Sequence, residues 1–142
     1  MNKDQFFLYC LTFLGLPYRW GGDDPIGGVD CSGLVLEVLK ALGLAPSQAK
    51  INAQAIHDYF VKQKYGLDVP GPGSLCFYGQ SPAKITHVGI LVSPGAMLTA
   101  SGGTSETTSL DKAIQQNAFV KIRPHNYRKD FLRMIKPQGL LW

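Results

Sequence analysis

The sequence predicts an α+β fold in which N-terminal helices pack on a small antiparallel β-sheet. Apolar residues at helical spacing are confined to the first half of the chain. After Gly66 the pattern changes to short apolar runs that are separated by turns rich in Gly, Pro and Ser. Helices that precede the strands, instead of alternating with them, are typical of helices packed on an antiparallel sheet.

Length and composition are those of an ordinary globular protein. The 142 residues, 15.5 kDa in mass, fit a single domain over residues 1–142. Hydrophobic residues make up 45% and charged residues 17%, a balance that excludes an intrinsically disordered chain. The net charge of +4 favours an anionic partner. However, the longest basic run is Arg128-Lys129, so we do not expect nucleic acid to bind.

The apolar segment near the N-terminus predicts a buried helix over residues 4–14, which Gly15 and Pro17 end. Its hydrophobicity is similar to that of a signal peptide, but Asp4 lies in the charged region and no small-residue cleavage site follows. The run is also too short to span a membrane. We therefore expect a protein that is synthesised in the cytoplasm without a signal peptide and does not insert into a membrane.

Periodicity and turn residues place the remaining elements. Two further helices are predicted over 31–44 and 52–64. Their inward-facing residues are Leu34, Val35, Val38, Leu39 and Leu42 in the first, and Ala53, Ile56, Phe60 and Val61 in the second. Strands are predicted over 74–78, 87–92, 96–100, 119–123 and 132–135, with a Gly- and Thr-rich loop over 101–109 and a short helical turn over 110–117.

Cys31 is the first residue that points to chemistry. It begins the predicted helix 31–44 directly after a Gly-rich loop, and Asp30 is suited to cap the same helix. The N–H groups and partial positive charge at a helix N-terminus stabilise a thiolate, so we expect a lowered pKa for Cys31. The alternative is a buried cysteine that packs as a small hydrophobic residue. Cys10 and Cys76 are expected in the core, and the three cysteines show neither disulfide nor metal-ligand spacing.

His87 is the second residue that points to chemistry. It opens the predicted strand 87–92, where a histidine beside Gly89 is able to face a groove; the alternative is a structural histidine. A cysteine at the start of a helix, followed by a histidine on a later strand, is the order of a papain-like peptidase. His57 and His125, in the middle of a helix and in a late polar turn, are interpreted as surface residues.

Three separated motifs resemble the NlpC/p60 family of papain-like cysteine peptidases. They are Pro17-Tyr18-Arg19-Trp20-Gly21-Gly22, Asp30-Cys31-Ser32-Gly33-Leu34-Val35 and His87-Val88-Gly89-Ile90, in the order found in the family, with Pro72–Tyr78 similar to the strand that precedes the histidine. The resemblance covers residues 14–101. It implies a papain-like fold of helices on a small antiparallel sheet. It also implies hydrolysis of bacterial cell-wall peptides, most often between D-glutamyl and a diamino acid such as meso-diaminopimelate.

The resemblance further implies roles for single residues. Cys31 would be the nucleophile that forms a thioester acyl-enzyme, and His87 the general base. Tyr18, Asp30 and Ser32 match positions that line the substrate pocket. There the Tyr hydroxyl assists the oxyanion, and Asp and Ser hold the free amine of an N-terminal L-Ala in some members. No metal and no other cofactor is implied.

The chain departs from the family at Thr99, where members usually have a polar residue, commonly His, that orients the catalytic histidine. A threonine hydroxyl accepts a hydrogen bond from the imidazole N–H, but it carries no charge and stabilises an imidazolium less. Three explanations are open. Thr99 is a weak orienting residue; or a carboxamide, carboxylate or carbonyl group from elsewhere in the chain takes the role of the missing residue; or the activity is reduced. We favour the first two together, because Cys31 and His87 are both present. Ser74 also replaces the Asp that is usual in the family, and we expect this change to affect a turn and not the catalytic chemistry.

Two other classes of function stay open. One is an acyltransferase or amidase on a related fold, which would use the same cysteine and histidine. A wide apolar groove would favour this function, whereas a narrow polar pocket around Asp30 and Tyr18 would favour the peptidase. The other is a degenerate, non-catalytic module that binds wall peptides. The expected partner is peptidoglycan or its free stem-peptide fragments. The enzyme would reach them as a phage endolysin or virion-associated hydrolase, or meet them in the cytosol during recycling, and the sequence leaves the oligomeric state open.

Overall fold

Four helices and a five-stranded antiparallel sheet form the framework of the structure, a computed structural model that describes residues 1–142. The helices are Lys3–Leu11 (α1), Cys31–Ala41 (α2), Ala53–Lys62 (α3) and Leu110–Gln116 (α4). The strands are Asp23–Asp24 (β1), Gly28–Val29 (β2), Leu75–Gly79 (β3), Ile85–Ser93 (β4), Ala96–Ser101 (β5), Phe119–Pro124 (β6) and Phe131–Ile135 (β7). The sheet has the order β6-β5-β4-β3-β7, and β1 and β2 form a separate hairpin. Three helices precede the sheet and pack on it, so the predicted α+β class is confirmed.

Element boundaries differ from the predictions by a few residues. α2 ends at Ala41, because Leu42 is its C-cap and Gly43 takes a positive φ of 73°. β4 begins at Ile85, so His87 is the third residue of its strand and not the first. The hairpin of β1 and β2 lies in a stretch predicted as a loop, since strands of two residues are too short to show a period.

The N-terminal helix α1 is less buried than predicted. It ends at Leu11, and only Phe6 and Cys10, one turn apart, are buried. Phe7 and Leu8 are 36% and 64% exposed. A continuous apolar run does not show which face of a helix is covered, so the prediction of a buried helix is wrong for one side of α1. No helix of the structure combines the length and the apolar character that crossing a membrane requires.

The main core lies between the helices and one face of the sheet. Alternate residues of β3 show the division: Leu75 and Phe77 join this core, whereas Cys76 and Tyr78 face the other way. The second face carries a smaller cluster of Cys76, Tyr78, Leu91 and Met97, flanked by the half-buried Tyr127, Phe131 and Met134. His87 pairs with Tyr78 across β3 and β4, and their ring centroids are 5.4 Å apart, so the imidazole lies beside the smaller cluster.

The interpretation of His57 as a surface residue is wrong. It lies on the inner face of α3, only 3% exposed, and its ring packs edge-on against Phe77 with the centroids 5.2 Å apart. Helical spacing explains this position, because His57 follows the buried Ala53 by four residues and shares its face. His125 is half-buried, with its ring against Phe131, so it lies at the surface with only part of its side chain exposed.

Candidate active site

The Asp30 carboxylate ties the N-terminus of α2 to the preceding loop. Its Oδ1 accepts hydrogen bonds from the Gly33 N–H at 2.7 Å and the Ser32 hydroxyl at 3.1 Å, and Oδ2 accepts one from the Gly21 N–H at 3.0 Å. Asp30 is therefore the N-cap of α2, as predicted. The loop comes so close that a Cβ atom on Gly33 would lie 2.1 Å from the Gly22 carbonyl oxygen. These contacts fix the first turn of the helix.

Cys31 is buried at the start of α2, with 9% of its surface exposed. Burial raises the pKa of its thiol to about 11, and hydrogen bonds from the backbone of Val88, Ser32 and Cys31 itself offset this only in part. The prediction of a lowered pKa is wrong, because the positive end of the helix does not compensate for the loss of water around the sulfur. Cys10 and Cys76 are fully buried in the core, as predicted.

His87 projects from β4 with only 7% of its surface exposed. Its Nε2 lies 2.7 Å from Thr99 Oγ1 on β5 and 3.4 Å from the Tyr127 hydroxyl oxygen. Burial lowers the pKa of His87 to about 3, with a smaller contribution in the same direction from the positive charge of Arg128. The ring is therefore neutral at physiological pH. Nε2 contacts these two hydroxyl groups, and Nδ1 is the ring nitrogen outside both contacts.

One cavity of about 620 Å³ brings most of the predicted site residues together. Five of the six line it, namely Cys31, His87, Tyr18, Asp30 and Ser32. Thr99 does not line the cavity, because it is fully buried and reaches it only through His87. Most of the remaining wall is glycine or polar side chains, among them Gln54, Thr86 and Thr104. The cavity is thus a pocket of mixed polar and apolar lining around a thiol and an imidazole.

Tyr18 contributes a phenol to the same cavity. Its backbone N–H donates to the Ala118 carbonyl at 3.0 Å, and its ring lies where a Cβ atom on Gly103 would come within 2.1 Å. Burial raises the pKa of Tyr18 well above its usual range, and negative charge on Cys31 or Asp30 acts in the same direction. The phenol therefore stays protonated and is available as a hydrogen-bond donor.

Two residues of the cavity wall, Tyr127 and Arg128, escape prediction from the sequence. They lie in the turn between β6 and β7, far along the chain from every motif. Arg128 Nε and Nη2 donate to Oδ1 and Oδ2 of Asp130 at 2.9 and 2.7 Å, and its guanidinium carbon lies 5.4 Å from the centroid of the Tyr78 ring. The basic pair Arg128-Lys129 is the only sequence feature there, and charge alone does not distinguish a cavity wall from a solvated turn.

A model of the NlpC/P60 family matches residues 15–124, a segment that includes both Cys31 and His87. The chain belongs to the NlpC/P60 family. This chain is 34% identical over 116 residues to the γ-D-glutamyl-L-lysine dipeptidyl-peptidase of Bacillus subtilis strain 168. It is 36% identical over 93 residues to the bifunctional muramidase/DL-endopeptidase CwlT of the same organism. The matches cover 78% and 64% of this chain but only 37% and 27% of the two relatives, so the chain spans about a third of their length.

Solved structures confirm the predicted NlpC/P60 fold. The crystal structure of the NlpC/p60 domain of the peptidoglycan hydrolase SagA matches this chain with a TM-score of 0.64. The match covers 96% of this chain and 100% of that one, at 23% sequence identity. The same path of helices and strands is therefore shared by two distant sequences of the NlpC/P60 family.

Proposed function

We propose that this chain is a cysteine peptidase that hydrolyses peptidoglycan stem peptides at the bond between D-glutamyl and a diamino acid. The observation that carries the proposal is the shared cavity, which is lined by the thiol of Cys31 at a helix N-terminus and by the imidazole of His87. The names of the two Bacillus relatives, a γ-D-glutamyl-L-lysine dipeptidyl-peptidase and a DL-endopeptidase, support this choice of bond.

The resting site holds two neutral groups, a thiol and an imidazole. Burial disfavours either charge alone, so proton transfer from Cys31 to Nδ1 of His87 accompanies the attack of the sulfur on the carbonyl carbon. The S–C bond forms, and His87 then gives the proton to the leaving amine as the C–N bond breaks, which leaves a thioester. Water that is deprotonated by His87 attacks the thioester, and the proton returns to the sulfur as the S–C bond breaks.

Thr99 supports these steps by holding one tautomer of the imidazole. An Nε2–H that is donated to the Thr99 hydroxyl leaves the lone pair on Nδ1, and this lone pair takes the proton of the thiol. When the ring of His87 is charged, the hydroxyl oxygens of Thr99 and Tyr127 both accept from Nε2–H. Two neutral acceptors thus take the place of the single polar residue that the family usually provides.

Tyr18, Asp30 and Ser32 complete the proposed substrate pocket. The protonated phenol of Tyr18 and backbone N–H groups beside Cys31 bind the developing oxyanion, and each such donor contributes ~3 kcal/mol in comparable sites. Asp30 is the only acidic side chain that lines the cavity, so a cationic amine at the N-terminus of the substrate finds its counter-charge there, with Ser32 as a second polar contact.

The lining of the cavity favours a peptidase over an acyltransferase or amidase that acts on lipids. Less than half of the lining residues are hydrophobic, and both Asp30 and Tyr18 face the same pocket. The alternative of a non-catalytic binding module is supported only by Thr99, which stands where the family usually has a stronger hydrogen-bond partner for the catalytic histidine. The 2.7 Å contact between Thr99 and His87 argues against it, because the imidazole has an orienting group after all.

Digestion of purified peptidoglycan and of free stem peptides, followed by mass spectrometry, tests the proposal. We expect the wild-type protein to release one new amine, at the D-glutamyl–diamino acid bond, and Cys31→Ala to release none while keeping its fold. Cys10→Ala is the matched control, because it removes a core thiol away from the site and should retain cleavage. Hydrolysis by Cys31→Ala would rule out the proposed nucleophile.

The two substrates also separate the routes to the wall. Cleavage of intact peptidoglycan fits a hydrolase that is delivered to the wall, such as a phage endolysin or virion-associated enzyme, whereas cleavage of free peptides alone fits recycling inside the cell. If neither substrate gives a product, labelling with iodoacetamide decides between the other functions. A reactive Cys31 then favours the acyltransferase or amidase, and an unreactive Cys31 favours the binding module.

A further inference from the structure

The cavity that holds Cys31 and His87 is lined by one acidic and one basic side chain. Asp30 lies at the N-terminus of α2, and Arg128 lies in the turn between β6 and β7. Arg128 has no part in the proposed chemistry, yet about a third of its side chain, 34%, is accessible to solvent. An arginine keeps its charge throughout the physiological pH range, so it marks the part of the cavity that favours an anionic group of a ligand.

The guanidinium of Arg128 is held in one orientation. Nε and Nη2 donate to the two carboxylate oxygens of Asp130 at 2.9 and 2.7 Å, and the group lies over the ring of Tyr78. Both hydrogens of Nη1 remain outside this ion pair. A planar donor group that is already fixed loses little entropy when it binds a carboxylate, which makes Arg128 better suited to recognition than a mobile surface lysine.

Arg128 lies on the His87 side of the cavity. Tyr127, its neighbour in the chain, has its hydroxyl oxygen 3.4 Å from Nε2 of His87. In the proposed reaction His87 protonates the leaving amine, so the amino acid that supplies this amine lies against the imidazole. A carboxylate on that amino acid is then on the side of Arg128, and the N-terminal amine of the substrate is on the side of Asp30.

We propose that Arg128 binds a carboxylate of the diamino acid on the leaving side of the scissile bond. The inference rests on the proposed function and narrows its substrate class to peptides whose diamino acid carries a free carboxylate. With an amine bound at Asp30 and a carboxylate at Arg128, the cavity is complementary to a short zwitterionic peptide.

Binding of two peptides to the Cys31→Ala variant of the 142-residue chain, measured by calorimetry, tests this site without turnover. The probes are L-Ala-γ-D-Glu-L-Lys and the same peptide with a C-terminal carboxamide, which differ only at the lysine. We expect the acid to bind about tenfold more tightly than the amide, because a hydrogen bond to a charged group is lost in the amide. Addition of Arg128→Gln should remove this preference and leave binding of the amide within about twofold.

Lys129→Gln in the same background is the matched control, because it removes an equal charge from the exposed neighbour of Arg128 and should leave the preference unchanged. The inference is overturned if Arg128→Gln weakens acid and amide equally, or if the unsubstituted site does not distinguish them. The comparison of acid and amide binding to Cys31→Ala alone tests the inference even if the Arg128→Gln variant does not fold. Hydrolysis of the acid peptide by the wild-type protein is measured separately. An Arg128-dependent preference without any hydrolysis would overturn the peptidase and leave the carboxylate site standing.

Discussion

Thr99 Oγ1 lies 2.7 Å from Nε2 of His87, across the neighbouring strands β5 and β4. Thr99 is fully buried, which keeps bulk water away from this contact. An aliphatic residue in its place would leave a buried imidazole N–H with a weaker partner, at a cost of about 1–3 kcal/mol. The orienting group of this proposed catalytic site is therefore a neutral hydroxyl.

Thr99→Val removes that hydroxyl and keeps the branched shape of the side chain. We expect kcat/KM on a γ-D-glutamyl-L-lysine peptide to fall about 10- to 100-fold, because the imidazolium loses its nearest acceptor. Thr99→Ser, which retains the oxygen, should stay within a few-fold of wild type. Tyr127→Phe should lose less than Thr99→Val, since its contact with His87 is longer, 3.4 Å. Wild-type kcat/KM in a folded Thr99→Val protein would show that another group orients His87.

Alkylation by iodoacetamide should modify Cys31 before the other cysteines, and its rate should increase with pH. Cys31 lines the cavity, whereas Cys10 and Cys76 are fully buried with pKa values raised to about 12 by burial. Because burial raises the pKa of Cys31 to about 11, the rate should increase roughly tenfold per pH unit between about pH 7 and 10.

Mass spectrometry of the intact protein follows this labelling, with Cys31→Ala as the control that should remain unmodified under native conditions. A rate that is already constant near neutral pH would show that the resting site holds a thiolate–imidazolium pair. The neutral resting state that we propose for Cys31 and His87 would then be wrong.

Local sequence features predict the part of the site that α2 provides. Asp30 and Cys31 are neighbours in the chain, and the N-cap depends only on residues up to Gly33. The pKa of Cys31 could not be predicted in the same way. Its largest cause is desolvation, which depends on how the whole chain packs around the sulfur, and the backbone hydrogen bond that partly offsets it comes from Val88, 57 residues further along the chain.

The other part of the site depends on long-range packing, which the sequence pattern does not specify. The order of motifs points to His87, and alignment with the family points to Thr99, but their contact requires the observed pairing of β4 with β5. Tyr127 reaches His87 from 40 residues further along the chain, and nothing in its turn shows a period or a motif. Long-range contacts of this kind explain why Tyr127 and Arg128 escape prediction.

His87 should make the protein less stable in acid. Burial lowers its pKa to about 3, below the ordinary value of 6.5, so between these values the unfolded chain binds a proton that the folded protein does not. This contribution to stability is complete above about pH 6.5 and is lost as the pH falls towards 3, at up to about 1.4 kcal/mol per pH unit.

Urea unfolding of wild type and His87→Gln between about pH 7 and 4.5 isolates this slope. Asp58 and Asp130 also have lowered pKa values, chiefly through hydrogen bonds with His57 and Arg128, but both carboxylates are present in the two proteins. The free energy of unfolding should therefore decrease more steeply with falling pH in the wild type. Equal slopes would mean that His87 does not remain neutral when the protein is folded.

Gly33→Ala should separate the Gly-rich loop from α2. The new Cβ atom would lie 2.1 Å from the Gly22 carbonyl oxygen and 3.0 Å from Oδ1 of Asp30, and neither atom belongs to a flexible surface group. Alanine is the better helix former, so a loss of stability would come from this contact and not from helix propensity. We expect a decrease of roughly 1–3 kcal/mol in the free energy of unfolding, and a large loss of activity as Cys31 shifts.

Gly27→Ala is the matched control for this effect. Its Cβ atom would approach the Asp24 carboxylate at 2.7 Å, but that side chain is exposed in the β1–β2 hairpin and is able to move. The free energy of unfolding should therefore change by less than about 0.5 kcal/mol, and cleavage should continue. If Gly33→Ala behaved like Gly27→Ala in both measurements, close packing of the loop would not be what holds the thiol in place, and the N-cap bonds of Asp30 alone would have to position it.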